Sequence, residues 1–106
     1  MNKKEEYILN QVKQIVEDKE PNAKIFFYGS RNKGTYKKDS DWDFLILLDK
    51  DKISETVSKN ITSSLYDLEF DIGEVISPII FTKNDWNTKY KVTQFYKNVM
   101  SEGKVL

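Results

Sequence analysis

The sequence predicts an α/β (α+β) domain, a small mixed β-sheet flanked by helices, on three observations. Ile8, Val12, Ile15 and Val16, and later Ile53, Val57, Ile61, Leu65 and Leu68, recur at steps that line one wall of a helix. Short runs of β-branched and aromatic residues, bounded by glycine, proline or charged residues, mark strands between them. The resulting order, α-β-β-α-β-α with a short end piece, is best satisfied by helices packed on one sheet.

Taken in order, Lys3 to Lys19 forms the first helix, and Glu20-Pro21-Asn22 stops it. Lys24 to Tyr28 is a buried strand ending at Gly29-Ser30. The polar, basic stretch from Gly29 to Ser40 is a loop with room for one helical turn, and Asp43 to Leu48, the most apolar segment, is the central strand. Asp51 is placed to cap the next helix, which Gly73 ends. Val75 to Phe81 is a third strand, pushed toward an edge or a bulge by Pro78. Thr82 with Asp85 resembles a capping box opening one last helix, with Trp86, Tyr90, Phe95 and Val99 as its apolar residues. Ser101-Glu102-Gly103 closes that helix, leaving Lys104-Val105-Leu106 as a terminal strand. Phe26, Phe27, Tyr28, Trp42, Phe44 and Trp86 read as packing residues, whereas Tyr36, in the polar loop, is the aromatic least suited to a core.

Composition limits the chemistry. No linker or repeat interrupts the 106 residues, so residues 1–106 are expected to form one domain. The absence of cysteine and histidine excludes disulfides, thiolate zinc sites, cysteine nucleophiles, imidazole bases and Ser-His-Asp triads. A metal here must be a hard cation held by oxygen, which favours Mg2+ or Mn2+. Seventeen basic and seventeen acidic residues cancel, which argues against nucleic-acid binding through bulk positive potential. No apolar run approaches a membrane span and the first residues lack the pattern of a signal peptide, so the expected location is the cytoplasm.

One constellation carries chemistry: Gly29-Ser30, then ten residues, then Asp41-Trp42-Asp43. If the first two strands pair antiparallel, the bend and both acids share one rim of the sheet. Residues two apart on a strand point the same way, about 6.6 Å apart, so the carboxylates can converge on divalent cations. Glycine lets backbone approach a phosphate, serine adds an N–H and a hydroxyl, and Arg31, Lys33, Lys37 and Lys38 supply positive charge. Taken singly, each feature has a plainer reading: a D-x-D is most often a solvated strand end, a Gly-Ser a turn, and a basic loop a solvated surface. No G-x-x-x-x-G-K-[ST] or G-x-G-x-x-G is present. The two acids gain weight because they open the most apolar strand, where like charges repel unless compensated.

Tyr28-Gly29-Ser30-Arg31-Asn32-Lys33-Gly34-Thr35 followed by Asp39-Ser40-Asp41-Trp42-Asp43-Phe44 resembles the signature of the minimal nucleotidyltransferases of the polymerase-β-like superfamily. Their pattern is G-S-x-A-x-G and then S-D-x-D-[LF] at the head of a strand. The order of elements is also similar, so the resemblance covers essentially the whole chain; Asn32 stands where the family usually has alanine. It implies the polymerase-β-like fold and transfer of a nucleoside monophosphate, AMP from ATP or another nucleoside triphosphate, to a hydroxyl. By resemblance Gly29 and Ser30, with Arg31 and Lys33, hold phosphates, and Asp41 and Asp43 are catalytic ligands of Mg2+ or Mn2+. A HEPN-type helical partner, separately encoded and carrying an acceptor tyrosine, is also implied, as in toxin–antitoxin pairs.

The family's third carboxylate has no counterpart at its expected position, where Ser77 stands. Glu74 lies three residues earlier and faces the other side of a regular strand; Asp71 has the right parity but lies about 20 Å away along an extended chain. Either serves as the third acid only if Gly73 or a bulge near Pro78 re-aims it. Alternative readings therefore stand beside the active transferase: a catalytically impaired nucleotidyltransferase fold that binds nucleotide or a partner without turnover, and a chance resemblance in an unrelated domain. The acceptor, the nucleotide preference and the oligomeric state are not legible in the sequence.

Overall fold

A computed structural model describes residues 2–106. Helix α1 (Lys3–Lys19) begins where the Asn2 side chain accepts the Glu5 N–H at 2.7 Å. There follow β1 (Lys24–Tyr28), the single turn α2 (Ser30–Lys33), β2 (Trp42–Leu48) and α3 (Glu55–Ile72). The chain ends in β3 (Ile76–Thr82), α4 (Lys83–Asn87), α5 (Gln94–Glu102) and β4 (Lys104–Val105). The strands form a four-stranded sheet in the order β3-β2-β1-β4. β1 is antiparallel to both β2 and β4, and β2 is parallel to β3. The parallel pair requires a crossover, which α3 supplies. This is the mixed sheet with flanking helices that the sequence predicts.

The strands bury both faces. Trp42, Phe44, Ile46 and Leu48 pack with Ile8, Val12 and Val16 of α1 and Ile61, Leu65 and Leu68 of α3. The alternate residues Leu45 and Leu47 pack with Phe26, Trp86 and Val99. Period-two alternation therefore sends Trp42 and Asp43 to opposite faces of the sheet. Among the described residues, no helix is long and apolar enough to cross a membrane.

Three local expectations change. Ser54, not Asp51, caps α3: its hydroxyl accepts the Val57 N–H at 3.1 Å, so Ile53 lies ahead of the helix. The single last helix is two. Thr82 does accept the Asp85 N–H, but the Thr88 hydroxyl bonds the Asn84 carbonyl at 2.7 Å, competing with the ladder. Thr93 then caps α5 by accepting the Tyr96 N–H. β2 begins one residue earlier than expected, at Trp42, and β3 is shifted by one residue to Ile76–Thr82.

Pro78 lies on an edge strand, as expected, and the register explains why it is tolerated. The Trp42 N–H donates to the Val75 carbonyl, so odd-numbered residues of β3 face β2 and even-numbered ones face outward. Pro78 is outward and removes no ladder bond. The outward Ile76 N–H is taken by Glu69 Oε1 at 2.8 Å, which leaves the start of this edge unable to recruit another strand.

Candidate nucleotide and metal site

The end of β1 and the start of β2 meet at one rim because the two strands are antiparallel, with Tyr28 opposite Asp43. Gly29 follows at φ +82°, ψ −168°, a conformation open essentially to glycine alone. A Cβ on Gly29 would overlap Asp43 Oδ2. The glycine is thus required twice, by its backbone and by the carboxylate against it. No side chain caps the first turn of α2, so the backbone N–H groups at its head have neither helical nor side-chain partners.

Asp41 precedes β2 and Asp43 lies within it, two residues on and near enough to feel its charge. Burial first, and the charge of Asp41 second, push the Asp43 carboxyl above its ordinary range. Ser77 is registered with Asp43 across the parallel pair, and its hydroxyl donates to Asp41 Oδ2 at 2.9 Å. The position matching the family's third acid is therefore beside the other two, occupied by a hydroxyl. Burial and then Asp43 also raise the Tyr28 phenol, to about 12.

Glu74 and Asp71 do not complete a three-acid cluster. Glu74 Oε1 accepts from Trp42 Nε1 and from Arg31 Nη2, each at 3.0 Å, and Lys4 Nζ pairs with Oε2. Glu74 is thus held to the ring that faces away from Asp43. Asp71 is exposed on the last turn of α3. Among the described residues, no group of three or more acidic side chains is placed to hold a metal. Two carboxylates and a hydroxyl nevertheless suit a hard cation. Mg2+ is commonly held by one or two carboxylates, with waters and substrate phosphates completing its shell.

Burial alone would raise the Glu74 carboxyl, but bonds from Lys4 and Trp42 and the charges of Lys4 and Arg31 outweigh it and hold it below its ordinary value of 4.5. A depressed carboxyl contributes stability above its unfolded value and loses it as pH falls through its folded one. Glu74→Gln is expected to destabilise the fold at pH 7 by about 1.5–3 kcal/mol, the scale of a hydrogen bond to a charged group. The difference should vanish in denaturation curves taken well below pH 4.5. A deficit that persists there would mean that packing, not charge, holds Glu74.

Arg31, expected at the phosphates, is held largely inside the protein. It is 9% exposed, and it donates to the carbonyls of Ser40 and Lys38 at 3.1 and 2.9 Å while lying over the rings of Tyr36 and Trp42. Its Nε and Nη2 donors are thus taken up within the protein. Lys33 is half-exposed, paired with Glu102 at 3.0 Å, and lines a cleft of about 300 Å³ with Tyr28, Gly29, Ser30, Phe95 and Asn98. The α5 wall of this cleft was not legible as part of a site, since Phe95 and Asn98 lie some 65 residues from the motif. Asn32 tethers this wall: its amide donates to the Glu102 carbonyl at 2.7 Å, a bond that alanine cannot make.

No curated protein matches the sequence. Two of the solved structures that resemble the fold are both described as toxin–antitoxin proteins. One is the crystal structure of a toxin–antitoxin with AMP-PNP (TM-score 0.63, 17% identity, covering 91% of this chain and 69% of the other). The other is a mutant of the toxin–antitoxin MntA–HpeT (TM-score 0.60, 18% identity, covering 92% and 70%). The family model described as nucleotidyltransferase domain matches residues 9–105, from within α1 to β4 and across the whole Gly29-to-Asp43 constellation. This chain belongs to the nucleotidyltransferase-domain family.

Proposed function

We propose that this protein transfers a nucleoside monophosphate, AMP from ATP, to a hydroxyl on a separate protein, acting as the antitoxin of a toxin–antitoxin pair. The observation that carries the reading is the contact between the Gly29 bend and the Asp43 carboxylate, which joins a phosphate-accessible backbone to a pair of acids. The AMP-PNP of one structural neighbour and the toxin–antitoxin pairing of both support the nucleotide and the partner. The acceptor is proposed to be a tyrosine of a helical, HEPN-type partner.

In this reading Gly29 and Ser30 receive the phosphate tail, and Lys33 contributes positive charge at the mouth of the cleft. Asp41 and Asp43 would hold Mg2+ or Mn2+, which when bound stabilises charge on the phosphates. The acceptor oxygen forms a bond to the α-phosphorus, the bond to pyrophosphate breaks, and the hydroxyl proton leaves to solvent. The chain's part is to place these groups, a contribution that dominates phosphoryl-transfer catalysis. Ser77 favours a second reading, binding of nucleotide without turnover, because the position registered with Asp43 offers no anion.

The two readings separate when α-labelled ATP and Mg2+ are incubated with the protein encoded beside this one. An active transferase labels that protein, and Asp41→Ala/Asp43→Ala reduces labelling at least about 100-fold, exceeding the usual loss from outer-shell changes. Nucleotide binding by the unaltered chain with no label on the partner would select the binding module instead.

A further inference from the structure

Asp41 lies outside the regular strand, yet both of its chain neighbours are fixed by one cluster. Before it, the Ser40 carbonyl accepts from Arg31 Nε at 3.1 Å, and the Lys38 carbonyl accepts from Nη2 at 2.9 Å. After it, Trp42 stacks on the guanidinium at 4.6 Å and donates to Glu74 Oε1. The same Oε1 accepts from Arg31 Nη2. The guanidinium also lies over the Tyr36 ring at 4.3 Å. Arg31 therefore connects the loop before Asp41, the strand after it, and the chain entering β3.

We propose that Arg31 and Glu74 form a clamp that positions the Asp41 carboxylate, with Arg31 acting on the loop backbone rather than on phosphate. The inference rests on the nucleotidyl-transfer reading for its link to turnover. The chemistry selects arginine. A guanidinium presents donors along fixed directions in one plane and stacks on rings through both faces, whereas an ammonium has three freely turning donors and no flat face. Lysine at this position keeps the charge that a phosphate would need but loses the fork and the stacking.

The test compares Arg31→Lys, Glu74→Gln, their double variant and Tyr36→Ala in the full chain. It reads amide hydrogen exchange over residues 36–41, Mn2+ affinity in the absence of nucleotide, and kcat and KM for ATP. For Arg31→Lys and Glu74→Gln the clamp predicts faster exchange in this loop and Mn2+ affinity lowered about 10–100-fold, the usual cost of losing a group that orients a ligand. The clamp also predicts lower kcat with little change in KM, and a double variant no worse than Arg31→Lys alone. Tyr36 is 43% exposed, so Tyr36→Ala keeps the fold testable if Arg31→Lys unfolds. Losing one exposed cation–π face should lower Mn2+ affinity about two- to five-fold, and Tyr36→Phe should restore it.

A raised KM for ATP in Arg31→Lys with unchanged Mn2+ affinity, or unaltered exchange and affinity in Glu74→Gln, would overturn the clamp. If the unaltered protein transfers nothing, loss of Mn2+ affinity in both single variants still supports the clamp while overturning the transfer reading.

Discussion

Gly29→Ala is expected to abolish nucleotidyl transfer and to destabilise the protein by roughly 1–3 kcal/mol, the cost of forcing a side chain into this backbone region. Two effects combine. The bend holds φ +82°, and the new methyl would occupy the space of Asp43 Oδ2, so the carboxylate must swing away. Backbone strain and displacement of Asp43 separate in a double variant. Gly29→Ala/Asp43→Ala removes the collision and should recover part of the lost stability, measured by urea denaturation, while transfer stays absent. Strictly additive effects would show that the bend and the acid are not in contact, since independent sites add and touching ones do not.

Asp43→Asn is expected to do the opposite to stability and the same to activity. Burial and the neighbouring Asp41 hold the Asp43 carboxyl above its ordinary value of 3.8. An acid raised in the folded state costs stability when ionised. Wild-type stability should fall as pH rises from the ordinary value through the raised one. In metal-free buffer at pH 7 the asparagine variant should therefore melt at a higher temperature than wild type, with the difference vanishing as pH falls below 3.8. Adding Mg2+ should raise the wild-type melting temperature, because a ligand that binds only the folded state stabilises it by mass action, about 2.7 kcal/mol at one hundred times Kd. The variant should respond far less and transfer no label. A melting temperature at pH 7 equal to wild type would mean that neither burial nor the charge of Asp41 penalises the Asp43 carboxylate.

Both experiments probe the same arrangement, in which local stability is given up to hold two like charges at a sheet rim. Ser77 moderates the repulsion by donating to Asp41. The hydroxyl stands where the resemblance places a third acid, and this substitution makes the difference between turnover and binding a question for the labelling experiment.

Much of this was legible from local pattern. The apolar steps of α1 and α3 and the strand runs of β1 and β2 are periodic signals, and periodicity follows from backbone geometry that every chain shares. The antiparallel pairing that brings Gly29 to Asp43 entered the sequence reading as a condition, and the structure meets it. Where two signals competed, pattern failed: Ser54 rather than Asp51 took the cap, and Thr88 and Thr93 divided a helix that apolar spacing alone joined.

The sequence by itself determined the fold class, the periodic elements and the motif that carries the bend and two acids, since these depend on residues close together in the chain. Tertiary structure alone decided what the charged residues do. Arg31 bonds Glu74, 43 residues away, at 3.0 Å, and Glu74 is held in turn by Trp42 and Lys4 rather than beside the acid pair. Charges act through space and are strengthened by burial, so their partners are set by packing that no local spacing records.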